Sequence, residues 1–217
     1  MQEIEAKFYV RDLEKIRRRL QELEALLIQP RVLEMNIRFD LPDGGLSSER
    51  RVLRLRQDTE AKLTYKSAST GEQGVLSRAE IEFVVEDFEK AKAFLEALGY
   101  QSIFYYEKYR TTYTLELDSL LSETQKRASG LQSCHIMLDE LPYGNFVEIE
   151  GETPESIRAV ADLLNVKWDT AIPTSYHTLF VQLCEKHPDL DPKTLSFAAL
   201  DGLNVSVEEL PVHAGDG

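Results

Sequence analysis

Glu3-Ile4-Glu5-Ala6-Lys7 decides how the rest of the chain is read. Alternation with period 2 puts Glu3, Glu5 and Lys7 on one face of a strand and Ile4, Ala6 and Phe8 on the other. One such run describes a solvated strand face. Later segments repeat the pattern, however. Arg54 and Arg56, Lys62 and Lys66, then Arg78, Glu80 and Glu82 alternate with apolar partners. So do Lys108 and Arg110, and Glu148 and Glu150. Charges of both signs therefore recur on one face of successive strands, and a closed sheet would gather them into a polar interior.

The chain has 217 residues, enough for one sizeable core. No apolar run approaches the roughly 20 residues of a membrane span. The first charged strand begins at residue 3, which leaves no room for a cleaved signal before it. Cys134 and Cys184 are isolated from each other and suggest neither a zinc site nor a disulfide scaffold. A cytoplasmic protein is expected. His135, His177, His187 and His213 are scattered and read as structural or surface residues. The net charge is −13, which argues against nucleic-acid and anionic-membrane partners. A small polyanion held by cations in one cavity stays compatible with an acidic surface. The surplus carboxylates offer hard oxygen ligands for Mg2+ or Mn2+.

Outward from the first strand, Asp12 is a helix N-cap, and Leu13, Ile16, Leu20, Leu23 and Leu27 follow at helical spacing. Arg17-Arg18-Arg19 lies on that helix as a solvated face. Pro30 blocks continuation, and a strand follows near 32–40. Pro42-Asp43-Gly44-Gly45 is a turn. Strands are expected at about 51–57, 61–68 and 77–86, with a flexible loop over Gly71 to Gly74. A helix over Phe88–Leu98 ends at Gly99. A strand at 103–117, a flexible polar excursion at 118–133, and strands near 135–140 and 145–151 come next. Helices from Pro154 to about Leu164 and from Tyr176 to Glu185 follow. The sequence divides into a domain over 1–186 and an acidic C-terminal extension over 187–217, whose Leu195, Phe197, Leu200, Val205, Val207 and Leu210 are apolar enough to dock.

Arginine forks match phosphate oxygens, lysine adds a mobile point charge, and carboxylates can hold a divalent ion that bridges to phosphate. Arg and Lys on some strands with Glu on others is what binding a metal–polyphosphate requires.

The ordered set of motifs resembles the CYTH domain, or triphosphate tunnel metalloenzymes. Glu3 to Lys7 matches its E-x-E-x-K, Leu53 to Arg56 its L-R-x-R, and Leu63 to Lys66 its L-T-Y-K. Arg78 to Glu82 and Glu107 to Arg110 match the R-x-E-x-E and E-K-x-R segments. Leu138 to Gly144, Phe146 to Glu150 and Ser175-Tyr176 complete the resemblance, which covers about residues 1–185. It implies an α+β fold with an eight-stranded antiparallel β-barrel, helices packed outside, and a triphosphate bound with Mg2+ or Mn2+. It implies Glu3, Glu5, Glu148 and Glu150 as metal ligands, with Asp139 and Glu82 as further candidates. It implies Lys7, Arg54, Arg56, Lys66, Arg78, Lys108 and Arg110 as substrate-binding residues, and Lys7, Glu5 and Arg56 as catalytic ones. The expected activity is hydrolysis of inorganic triphosphate or a related organic triphosphate. The alternatives are a class IV adenylyl cyclase, or a polyphosphate-binding module without turnover. The expected partner is a small-molecule triphosphate, with the chain a monomer or homodimer. One position departs from the family pattern. Arg38 stands where many members have Tyr, and either adds a phosphate ligand or points outward.

Overall fold

The computed structural model describes residues 2–72, 75–117 and 133–217, with side chains described over 4–69, 76–117 and 133–217. The expected excursion at 118–132 lies outside the described residues. Eight strands close into an antiparallel ring. In chain order they are β1 (Gln2–Val10), β2 (Leu26–Asp40), β3 (Val52–Gln57), β4 (Ala61–Lys66), β6 (Val75–Val85), β7 (Gln101–Glu116), β8 (Ser133–Leu141) and β9 (Gly144–Glu150). Around the ring they run β1-β9-β8-β7-β2-β3-β4-β6, and β6 pairs back onto β1. The fold is α+β, as the alternating strands imply.

Two short strands lie off the ring. β5 (Thr70–Glu72) pairs with β6, so part of the segment read as a flexible loop is ordered by a neighbouring edge. β10 (Thr194–Leu195) pairs in parallel with β7.

Helix α1 (Leu13–Glu22) begins as expected, with Asp12 accepting from the Lys15 amide. It ends five residues before Leu27, because Glu24 adopts φ 55° and the chain enters β2 at Leu26. Pro30 then lies inside the strand rather than before it. The register with β7 shifts between Gln29 and Val32, and such an irregularity tolerates a residue without an amide donor. Leu27, placed on the helix by its spacing, is an exposed strand residue. Between β2 and β3 lies a single turn of helix, α2 (Gly45–Ser48).

Most ring strands bury an apolar face outward under helices, whereas Ile81 and Phe83 of β6 stay exposed. Ala6 and Phe8 of β1, Ile136 and Leu138 of β8, and Val147 and Ile149 of β9 pack with α1 and α4 (Pro154–Leu163). Thr153 caps α4 in a capping box, with Pro154 in its first turn. Ile37 and Phe39 of β2 and Leu53 and Leu55 of β3 pack with Leu95 of α3 (Phe88–Ala97). The complementary face of every strand therefore points into the ring.

The last helix, α5 (Tyr176–Lys186), is different. Tyr176, Leu179, Phe180 and Leu183 form one core with Tyr9, Phe104, Tyr106 and Phe146, which lie on the inward faces of β1, β7 and β9. Leu195, Leu200, Val207 and Leu210 of the segment 187–217 join this core, and the Val207 amide donates to the Tyr143 carbonyl.

Candidate active site

The register sets the inward charges in rows. Asn36 and Arg38 of β2 lie opposite Arg56 and Arg54 of β3, which face Lys62 and Thr64 of β4. Thr64 faces Glu82 and Lys66 faces Glu80 of β6. Across the ring, Glu5 and Lys7 of β1 lie opposite Glu150 and Glu148 of β9. Glu150 in turn faces His135 of β8. All of these but Asn36 and Thr64 line a cavity of about 1150 Å3. Among the described residues, nine Lys or Arg and eight Asp or Glu line it, against 25 and 38 in the whole chain. The acidic balance of the protein is thus cancelled inside the ring.

The inward charges fall into two groups. The first is a closed network on β2, β7, β8 and β9. Lys108, 2% exposed, lies 3.4 Å from Glu34 and 3.1 Å from Asp139. Arg110 forks Asp139, Nε to Oδ1 at 2.6 Å, and also pairs with Glu148. Tyr176 donates to Asp139 Oδ2 at 2.8 Å. Lys7 Nζ meets Glu148 at 3.2 Å and the Thr174 carbonyl at 3.3 Å, and sits 4.0 Å from the Tyr176 ring centre. Burial pushes the Glu34 carboxyl upward, but Lys108, Arg110, Arg56 and Arg54 outweigh it and hold Glu34 well below the usual carboxylate range. Glu148 is held low in the same way, against burial, by Lys7, Arg110 and Lys108. Burial, reinforced by Asp139 and Glu148, raises the Tyr176 hydroxyl far above its ordinary value.

The second group has looser pairings. Arg56 is 3.4 Å from Glu82 and 3.7 Å from Glu34. Arg54 reaches Glu82 only at 3.9 Å and Tyr106 at 3.4 Å. Lys66 meets Glu80 at 2.9 Å, and Arg78 meets Glu5 at 3.3 Å. The Nε atoms of Arg38, Arg54 and Arg56 are buried with no hydrogen-bond partner among the described residues. Arg56 Nε still has Asp58 at ion-pairing distance, 3.6 Å. Unsatisfied buried donors on cations are costly, and an anion in the cavity would relieve those of Arg38 and Arg54.

The expected site residues are therefore brought together, with distinct surroundings. Arg54, Arg56, Lys66 and Arg78 face the open cavity. Lys108 also lines it, but its ammonium is held between two carboxylates. Asp139 is fully buried behind Arg110 and Lys108, so it positions cations instead of facing the cavity. Glu82 lies among Arg56, Arg54 and Lys62. Arg38 points into the cavity, and the outward alternative falls. The Glu3 side chain lies outside the described residues.

Glu34 belongs to the site and was visible as an inward position of β2 only once closure of the ring was known. His135 and His177 also line the cavity: His135 is exposed, in keeping with a surface reading, while His177 packs against Phe104 beside Arg38. Nothing near them in sequence marks them. Ring closure places His135, and the start of α5 places His177.

No group of three or more His, Cys, Asp or Glu side chains converges on a metal position among the described residues. The donor chemistry nevertheless fits a hard divalent cation. Glu5, Glu148 and Glu150 present carboxylates to one cavity, and Glu5 stands directly opposite Glu150. Like charges so placed repel, and a cation between them would relieve the repulsion.

The CYTH domain model matches residues 1–173. No curated protein matches the sequence. A candidate adenylate cyclase from Vibrio parahaemolyticus superposes with a TM-score of 0.65 at 19% identity, covering 81% of this chain and 95% of that one. The PH1012 protein of Pyrococcus horikoshii superposes with a TM-score of 0.61 at 25% identity, covering 80% and 96%. A Hippeastrum protein named as a candidate adenylyl cyclase and described as having a dominant triphosphatase activity gives 0.52 at 18%, covering 74% and 84%. The match over most of its length, on a ring of eight antiparallel strands with a charged interior, places this chain in the CYTH domain family.

Proposed function

We propose that this protein is a divalent-metal-dependent hydrolase of inorganic triphosphate or a related organic triphosphate. The observation that supports this reading most directly is the cavity itself: among the described residues it gathers nine cations, inside a chain of net charge −13. The buried Nε–H donors of Arg38 and Arg54 have no hydrogen-bond partner among the described residues.

Arg54, Arg56, Lys66 and Arg78 would hold the phosphoryl oxygens. The arginines can do so bidentately, and a chain of phosphates can contact several strands at once. Their positions are fixed before substrate arrives. Glu82 and Glu80 hold Arg56 and Lys66 from the side, and the Asp139–Arg110–Lys108 network braces the wall beneath. Charge that builds on the transferring phosphoryl group therefore meets oriented donors, with little reorganisation needed. Lys7 sits between Glu148 and the Tyr176 ring. As an ammonium it has donors and no acceptor, so its part is to orient the attacking oxygen. Glu5, Glu148 and Glu150 would hold Mg2+ or Mn2+, which when bound supplies Lewis-acid polarisation of phosphoryl oxygens.

The test is to incubate the pure protein with Mg2+ or Mn2+ and, separately, inorganic triphosphate, thiamine triphosphate and ATP, and to resolve the products. Release of orthophosphate is expected. Cyclic AMP with pyrophosphate from ATP would make the chain a cyclase, and binding without any product would overturn the hydrolase reading.

A further inference from the structure

The start of α5 borders the cavity on one side. Ser175, Tyr176 and His177 at the start of α5 line it there. Behind them Phe104, Phe146, Tyr143 and Phe180 pack in a single apolar core. The opposite rim is formed by Ile28, Thr59 and Glu60, all exposed. A linear anion that enters from this rim and runs along the cavity reaches the residues at the start of α5.

Arg38 stands on that side. It lies directly opposite Arg54 across β2 and β3, an arrangement of like charges that costs stability. No carboxylate is within ion-pairing distance of Arg38 among the described residues. Asp40, the nearest acid on its strand, is already taken by the amides of Leu41, Leu46 and Ser47. The one side-chain partner found is His177, whose Nδ1 lies 3.1 Å from Arg38 Nη1. The His177 ring is held against Phe104, with centroids 4.3 Å apart. Burial, with Arg38 adding to it, pushes the His177 imidazole down to about 4, so it is neutral at physiological pH and accepts from the guanidinium. His177 therefore aims Arg38 without neutralising it, and the Nε–H groups of Arg38 and Arg54 stay without acceptors among the described residues.

We infer that Arg38, aimed by His177 and facing Arg54, is the subsite for the terminal phosphoryl group of a linear polyphosphate, and that the cavity therefore selects a free phosphate end. The inference rests on the triphosphate reading of the cavity. A terminal phosphoryl group carries three non-bridging oxygens and up to two charges. An internal one carries two oxygens and one charge. Two arginine forks that face each other match the former. Linear triphosphate, or an organic triphosphate with one free end, fits this demand. Cyclic trimetaphosphate has the same number of phosphorus atoms but no terminal group, and does not fit. Arg38 is thus a specificity-determining residue, and His177 its positioning residue.

The experiment is calorimetric titration of linear triphosphate and of cyclic trimetaphosphate without metal, so that no turnover intervenes. The proteins compared are wild type, Arg38→Gln, His177→Phe and His177→Asn. Wild type is expected to bind the linear form at least about 10-fold more tightly than the ring. Arg38→Gln should lose about 10–100-fold for the linear form, with little change for the ring. His177→Phe keeps an aromatic ring against Phe104 but removes the acceptor, and should lose part of the same affinity. His177→Asn keeps an acceptor close to the Nδ1 position and should recover it. If Arg38→Gln does not fold, Arg38→Lys, which keeps the charge but not the fork, must show the same loss of discrimination. Unchanged linear affinity in the Arg38 variant would overturn the subsite while leaving the triphosphate reading intact. Absence of linear-triphosphate binding to wild type would overturn that reading itself. Failure of Asn to recover what Phe loses would remove His177 from the account.

Discussion

Asp139 meets three partners with no exposure to solvent: Arg110, Lys108 and the Tyr176 hydroxyl. Asp139→Asn keeps the shape but leaves two buried cations short of their counter-charge. Removing one member of a buried pair costs about 3–5 kcal/mol. Urea unfolding should show a loss of that order, against under about 1 kcal/mol for Glu140→Gln, whose partner Arg31 is partly solvated. Equal losses would contradict the bracing role. Glu5→Gln should spare folding and lower turnover by about 10²–10³. Steady-state rates near wild type at saturating Mg2+ would remove Glu5 from the metal site. His177 gives a pH test. Its folded-state value, about 4, lies below the ordinary 6.5. The unfolded chain therefore takes up the proton first, and stability falls as pH drops from about 6.5 towards 4. Partial exposure limits the effect to about 1–2 kcal/mol. Unfolding free energies of wild type and His177→Asn, measured at pH 7 and pH 4.5, should converge or cross by that amount. A constant difference would contradict the shift. Inward and outward positions of residues such as Arg54 and Leu55 were readable from the sequence, because alternation alone assigns them. The partners of Asp139 and His177 were not, because they lie 29 to 139 residues away in the chain.

At the level of elements, most strands and helices follow from local chemistry. Asp12, Asp87, Thr153 and Ser175 each cap the helix that follows, and Gly99 takes the left-handed backbone expected after α3. The readings that fail are those settled by neighbours. The α1 pattern ran on to Leu27 because apolar spacing continued. Pairing with β7 captured that stretch as strand instead, and apolar spacing does not report pairing. β5 and β10 are short and exist only as partners of β6 and β7. The segment 187–217 could be read as apolar enough to dock, but not where. It covers α5 and the β8–β9 hairpin, and a Cβ on Gly144 would come within 2.7 Å of Val207 Cγ1. A chain ending at residue 186 loses the buried Leu195, Leu200, Val207 and Leu210. Burying each such side chain is worth about 1.5–3 kcal/mol, so the truncated protein should unfold cooperatively at a much lower urea concentration or not fold at all. An unchanged midpoint would show that the segment contributes nothing to the ring domain.

At the scale of the whole molecule, ring closure converts eight alternating strands into one acidic exterior and one mixed-charge interior. The charged interior was legible because so many strands carried the same alternation. The apolar core beside it was not, since α5 and the 187–217 segment build it from residues with no charge pattern. The central claim is that this interior is a metal–triphosphate site, and thermal melting tests it without assuming any activity. Metal would relieve repulsion between carboxylates such as Glu5 and Glu150, and triphosphate would relieve it between cations such as Arg38 and Arg54. Bound together the two ligands also attract each other, so their joint stabilisation should exceed the sum of the separate ones. A ligand at about 100 times its dissociation constant adds about 2.7 kcal/mol, or about 5–10 °C for a chain of this size. The measurement compares Lys7→Ala protein, chosen for slow turnover, with Mg2+ alone, triphosphate alone and both, against sulfate at matched ionic strength. The account predicts a combined shift larger than the two separate shifts added. A combined shift no larger than that with sulfate would contradict it.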